Sequence, residues 1–285
     1  MDDLASIGLP NHPVARDRDR GPPILTGKKY EAPSVFEPAN LLREARRQKG
    51  LSQADVPEIC LLDPDGDILR ALRRAGRATL SRGWACYHTE LFEFEHAALR
   101  FGIIGCAVGA SFAVLLAEEL FVSGCRLVLS MTSAGQIVSK GQPPYFVVID
   151  RALRDEGTSY HYLPPADFAD ADPALVAEAM GALREVGLPV YQGAAWTTDA
   201  PFRETEAAIE RARERNILAV EMEAAALYAF ARARDKAVLC LAHVTNQMAV
   251  EAGDFEKGEA DGAHASLTVI AAVAGAWHRR RGGKR

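Results

Sequence analysis

Apolar positions fall into short continuous runs separated by stretches of helical period, and this alternation begins at Pro57. Residues 58–62 predict a first strand, closed by the turn Asp63-Pro64-Asp65-Gly66 and followed by a helix over 68–75. Residues 91–95 alternate apolar and polar, the period of a half-exposed strand, whereas 101–105 is apolar throughout and 126–131 reads as another buried strand. Further strands are predicted at 145–150, 189–196, 217–220 and 237–244. Helices are predicted at 37–49, 109–122, 173–186, 202–215, 223–234 and 263–278, the third of them with Pro173 at its start. Strands alternating with helices predict an α/β fold, a single domain whose central mixed, largely parallel sheet is flanked by helices. In such sheets ligands collect beyond the carboxyl ends of strands, so the loops after Leu62, Gly105, Met131, Trp196, Val220 and Val244 are where chemistry is sought.

The two ends read differently. Residues 1–35 hold prolines at 10, 13, 22, 23 and 33 and the cluster Arg16-Asp17-Arg18-Asp19-Arg20, which predicts an extended arm. Residues 36–278 form the α/β domain, and 279–285 are a basic tail read as a solvated end. At 48% hydrophobic and 25% charged, the 285 residues can bury a core without disulfides or metal. The five cysteines are widely spaced with no CxxC pair, which suits a reducing, cytoplasmic setting. A net charge of −5 gives no overall pull towards nucleic acid or a membrane surface. The longest apolar run, 101–117, is broken by glycines and falls short of the roughly 20 residues of a membrane span. Met1-Asp2-Asp3 does not open like a secretory leader.

Several common chemistries are excluded by spacing. Gly102, Gly105 and Gly109 lie at offsets 0, 3 and 7, which is not a dinucleotide fingerprint, and no GxxxxGK[ST] loop exists. Asp63, Asp65 and Asp67 begin like a calcium loop, but Ile68 and Arg74 stand where glycine and glutamate are required. Helix capping by Asp63 or Asp65 is the alternative for these acids, beside a carboxylate sited in a cleft. No HExxH pair and no GxSxG elbow occur, so no metal site is expected. The informative stretch is Glu221-Met222-Glu223, two carboxylates where a buried strand meets an alanine-rich helix. If extended, they share one side, and buried acids there are costly unless a ligand satisfies them. Such a carboxylate can accept hydrogen bonds from a vicinal diol.

Glu221-Met222-Glu223-Ala224-Ala225 resembles the signature of the nucleoside phosphorylase superfamily. The stretches from Gly102 to Leu120, Thr132 to Ile137, Arg154 to His161 and Thr197 to Thr205 are similar to its other motifs, the last two to the uridine phosphorylase-like branch. The resemblance implies cleavage of the N-glycosidic bond of a nucleoside by inorganic phosphate, with no resident cofactor, in a homo-oligomer (dimer or hexamer). It implies that Glu221, Met222 and Glu223 hold the ribose, Glu223 by its hydroxyls, and that Phe202, Arg203, Asn246 and Gln247 meet the base. Ser133 and Gly135 fall in the loop implied to hold phosphate or water. Asn246 stands where purine-cleaving relatives carry an acid, which leans towards a pyrimidine. The chain departs from the pattern at the phosphate site, where Leu62-Asp63-Pro64-Asp65-Gly66 lacks the family's glycine and arginine and Ser130 replaces a second arginine. Arg43, Arg46 or Arg47 of a neighbouring subunit is one source of replacement. The alternatives are a nucleosidase with water activated by Asp63 or Asp65, and a nucleoside-binding protein without turnover.

Overall fold

A computed structural model describes residues 21–247 and 257–282. Ten strands and seven helices are assigned among them. In chain order these are α1 (Pro38–Lys49), β1 (Ile59–Asp63), α2 (Asp67–Arg74), β2 (Thr79–Leu80), β3 (Phe92–His96) and β4 (Leu99–Gly105). Next come α3 (Ala110–Val122), β5 (Leu127–Gln136), β6 (Tyr145–Asp155), β7 (Phe168–Asp170), α4 (Pro173–Leu183) and β8 (Val190–Thr198). The chain continues through α5 (Glu206–Glu214), β9 (Ile217–Glu221), α6 (Ala224–Arg234), β10 (Val238–Asn246) and α7 (Ala263–Gly282).

The strands form one mixed sheet flanked by helices, in the order β10-β6-β8-β9-β5-β1-β4-β3-β2, with β7 on β6. Parallel pairing is confined to two blocks, β4-β1-β5-β10 and β6-β8-β9. Antiparallel pairs β10–β6 and β5–β9 join these blocks. The sheet is mixed, as the sequence pattern predicts. The same pairings close β5, β10, β6, β8 and β9 into a ring, which leaves those strands without a free edge.

Three expectations need correction. The segment around Ser133 and Gly135 is not a loop, because β5 runs extended to Gln136 and exchanges its partner from β10 to β9 there. Phe202 does not open a helix; Pro201–Arg203 is a single 3-10 turn, and α5 starts after Thr205, whose hydroxyl accepts from the Ala208 N–H. Arg279, Arg280 and Arg281 continue α7 instead of fraying, and Arg280 reaches Glu178 at 3.2 Å. The predicted arm lies partly outside the described residues; from Gly21 to Glu37 it contains no helix or strand, and Lys28 Nζ lies 2.8 Å from His161 Nδ1.

Helix α6 ties the core together. Its residues Ala224 to Phe230 are all buried, and its alanines let it approach β6, β8 and β10 closely. The Tyr228 hydroxyl donates to the Ile149 carbonyl at 2.6 Å and accepts from the Cys240 N–H at 3.0 Å, joining α6 to β6 and β10. Tyr228→Phe leaves both groups buried and unpaired, so a loss of about 1–3 kcal/mol is expected in urea unfolding. An unchanged midpoint would mean that the two strands re-pair without the hydroxyl.

Candidate active site

The site lies where β9 runs against β5, with Gly135 opposite Val220 and Gln136 opposite Ala219. This crossing brings the end of β9 beside Ser133, although the two strands belong to oppositely directed blocks. The carboxyl-end rule for parallel sheets points to these strands but not to the geometry that joins them.

Strand β9 ends at Glu221, and the chain bends through Met222 and Glu223 into α6. Both carboxylates are buried, yet their surroundings differ. Glu221 accepts from the Glu223 and Ala224 N–H groups at 2.7 and 2.8 Å, and its other oxygen takes the Thr197 hydroxyl. Thr197 Oγ1 in turn accepts from the Ala225 N–H at 2.9 Å. Three orphan donors of the first turn of α6 are satisfied in this way. Glu221 therefore caps α6 with both of its oxygens engaged.

Glu223 uses one oxygen only. Its Oε1 accepts from the Gly109 N–H at 2.7 Å, and its Oε2 is buried with no partner. Gly109 has φ +93°, a conformation that favours glycine and that presents this N–H ahead of α3. The other two glycines of that stretch serve packing, since a Cβ would meet Cys60 Sγ at 2.9 Å from Gly102 and Leu69 Cδ2 at 2.9 Å from Gly105. Burial, then the neighbouring Glu221 charge, pushes the Glu223 carboxyl up to about 8. Met222, half-buried, sits between the two acids.

The three aspartates at and just beyond the end of β1 have different partners. Asp63 is 2% exposed, its Oδ2 accepts from the Leu69 N–H at 2.9 Å in the first turn of α2, and burial raises it to about 7. That is the capping alternative, realised by Asp63. Asp65 instead crosses to β5, where Oδ2 accepts from the Ser133 N–H and Oδ1 from the Ser133 hydroxyl, both at 2.7 Å. Asp67 pairs with Lys257 Nζ at 2.6 Å and with Arg70, and the same ammonium lies 3.6 Å from Asp65 Oδ1. His243, opposite Ser133 on β10, stacks on Phe146 at 4.4 Å, and burial lowers it to about 4.

Of the predicted site residues, Asp65 and Ser133 are hydrogen-bonded and the Asp65 charge acts on Glu223, with Asp63 and Met222 near them in the chain. Gly135 pairs with both Val220 and Asn246, so it marks the strand crossing, not a tight turn. Asn246 is buried and donates to Thr245 Oγ1 at 3.3 Å, while Gln247 is exposed. Phe202 is fully exposed and Arg203 exposed, on the turn beyond β8. Arg43 and Arg47 pair with Glu44 on α1. Sequence reasoning missed Lys257, Gly109 as a donor, and Thr197. No group of three or more His, Cys, Asp or Glu that could hold a metal ion occurs among the described residues.

Residues 60–274 match the phosphorylase superfamily. The chain belongs to that family. Within the superfamily it is 28% identical to guanosine phosphorylase of Halorubrum lacusprofundi over 130 residues, 46% of this chain and 54% of that protein. The chain thus spans about half the length of that relative. It is 26% identical to the DeoD-type purine nucleoside phosphorylase of Brevibacillus brevis over 205 residues, 70% of this chain and 86% of that protein. The fold is that of the superfamily's solved members. Uridine phosphorylase from Vibrio fischeri ES114 superposes with a TM-score of 0.66 at 21% identity, covering 80% of this chain and 97% of its own. Purine nucleoside phosphorylase from Toxoplasma gondii, in complex with immucillin-H, gives 0.66 at 17% identity, covering 80% and 93%. No helix among the described residues is long and apolar enough to cross a membrane.

Proposed function

We propose that this chain cleaves the N-glycosidic bond of a nucleoside and releases the free base. The observation that carries this reading is Glu223, a buried carboxyl with one oxygen fixed on Gly109 and the other unpartnered, beside Met222 in a phosphorylase-superfamily fold. An oxygen so placed can accept from a ribose hydroxyl without giving up its anchor. Met222 packs on the sugar, and Phe202, Arg203, Asn246 and Gln247 are the candidates to meet the base.

Asn246 favours a pyrimidine. Its amide offers hydrogen bonds to a carbonyl or ring nitrogen but no titratable proton for a purine leaving group. The curated relatives named above act on purines by name, so base choice is a point on which this chain can differ from them. Family membership makes inorganic phosphate the first acceptor to consider, with no resident cofactor. A second reading, hydrolysis by water activated by Asp63 or Asp65, is favoured by one observation: Asp65 holds both donors of Ser133.

The test is incubation with a panel of nucleosides, with and without phosphate, and chromatography of the products. Base release led by uridine or another pyrimidine nucleoside is expected. A profile led by inosine or adenosine would overturn the base assignment, and thermal stabilisation by nucleosides without any base release would favour a binding protein.

A further inference from the structure

The Ser133 N–H and hydroxyl form a two-donor cradle for an anion, and the cradle is filled from within the chain. Each Asp65 oxygen takes one donor at 2.7 Å, the bidentate geometry that an oxyanion ligand would adopt. The neighbouring cations are engaged by aspartates too. Lys257 lies between Asp65 and Asp67, and Arg70 bonds Asp67 and, at 2.7 Å, the Asp65 carbonyl. Asp63 and Glu223 add acids to the same surroundings, and Asp65 and Asp67 both act electrostatically on the neutral His243. A second anion at Ser133 would have to displace Asp65 and leave that carboxylate beside Glu223 without its donors.

We propose that Asp65 is a resident anion that excludes inorganic phosphate from the Ser133 donors and so sets the acceptor of this chain. The proposal rests on the reading of the chain as a nucleoside-cleaving enzyme. With phosphate excluded, water is the acceptor. Its oxygen bonds to the anomeric carbon as the carbon–nitrogen bond breaks, and the base departs with that bond's electron pair. Water loses one proton and the base gains one, so that the products are the free base and the free pentose. Asp65 is thus the residue at which a phosphorolytic site becomes a hydrolytic one, and its removal restores the cradle without touching Glu223.

Inorganic phosphate itself is the probe, read by thermal unfolding of the full chain. Wild type is expected to show no phosphate-dependent shift. Asp65→Ala frees both Ser133 donors and should gain a rise of about 5 °C at phosphate about a hundred times its dissociation constant. Asp65→Asn, which keeps the shape but removes the charge, should gain a smaller shift. Asp67→Ala lowers the local negative charge equally but leaves Asp65 on Ser133, and should gain none. Phosphate stabilisation of wild type, or equal gains in Asp67→Ala and Asp65→Ala, would overturn the proposal. Turnover supplies an independent arm. Wild-type base release should be indifferent to phosphate and yield free pentose, whereas Asp65→Ala should release base only with phosphate and yield pentose 1-phosphate. Strict phosphate dependence in wild type would overturn the proposal. If no nucleoside is cleaved while the binding pattern holds, the functional reading fails and the assignment of Asp65 stands.

Discussion

Above about pH 8, where the Glu223 carboxyl is ionised in the fold, Glu223→Gln is expected to lower base release from a ribonucleoside by about 10- to 150-fold, the equivalent of about 1.5–3 kcal/mol of lost charged hydrogen bonding. Glutamine is the informative replacement because Glu223 is only 1% exposed and cannot be truncated without leaving the Gly109 N–H unpaired. The amide oxygen keeps that anchor at the position of Oε1, so the change is confined to the second atom, the one without a partner. An acceptor there becomes an NH2 donor, which cannot receive a sugar hydroxyl. A 2′-deoxynucleoside already lacks one of the two hydroxyls, so the substitution should cost it less, and the shortfall measures the coupling between Glu223 and the 2′ oxygen. Steady-state kcat/KM on the ribo- and deoxyribonucleoside pair, for wild type and variant, gives the complete cycle. Full retention of activity on the ribonucleoside would remove Glu223 from the sugar site. An equal loss on both sugars would assign it to the 3′ hydroxyl or to the fold.

The elements that the sequence made legible are those whose signal is local. Buried strands such as β1 and β10 are built on continuous apolar runs, 59–62 and 238–242, and α3 and α6 are bounded by changes in that pattern. The segment Thr132 to Gly135 was illegible for the opposite reason. Threonine, serine and glycine read as loop punctuation, whereas their extended backbone is imposed by pairing to β10 and then β9, residues more than 80 positions away. Strands β2 and β7, of two and three residues, are too short to carry a period. In the site, the acid pair Glu221 and Glu223 stood out because buried carboxylates need a reason. Which of them is free to meet a ligand could not be read from their spacing. That choice is made by Thr197, on β8, which completes the cap of α6 with Glu221. Lys257 had no sequence signal at all, since a lone lysine outside any motif acquires its role only when α2 and the start of α7 bring it to Asp65 and Asp67.

Wild type is expected to lose stability relative to Glu223→Gln as pH rises from about 4.5 to about 8, the interval between the carboxyl's ordinary and folded values. Burial is the largest cause of the raised value; the Glu221 charge follows, the Asp65 charge adds to it, and the Gly109 N–H opposes it. Across this interval the unfolded chain has released a proton that the native protein keeps. Fewer protons are bound in the unfolded state, so stability falls with rising pH, by at most about 1.4 kcal/mol per pH unit for one group. Glu221 and Asp63, each raised to about 7 chiefly by burial, push in the same direction. His243 pushes in the other, because its lowered value makes the native protein gain stability between about pH 4 and 6.5. Those contributions are common to both proteins, so the difference between wild type and Glu223→Gln isolates the one carboxyl, apart from its coupling to Glu221. Urea midpoints for both proteins at unit steps of pH make the measurement. The gap should be small in acid, where both side chains are neutral, and widen in favour of the glutamine variant up to about pH 8. A gap that stays constant would mean that Glu223 ionises in the fold as freely as in the unfolded chain, which its burial beside Glu221 and Asp65 opposes.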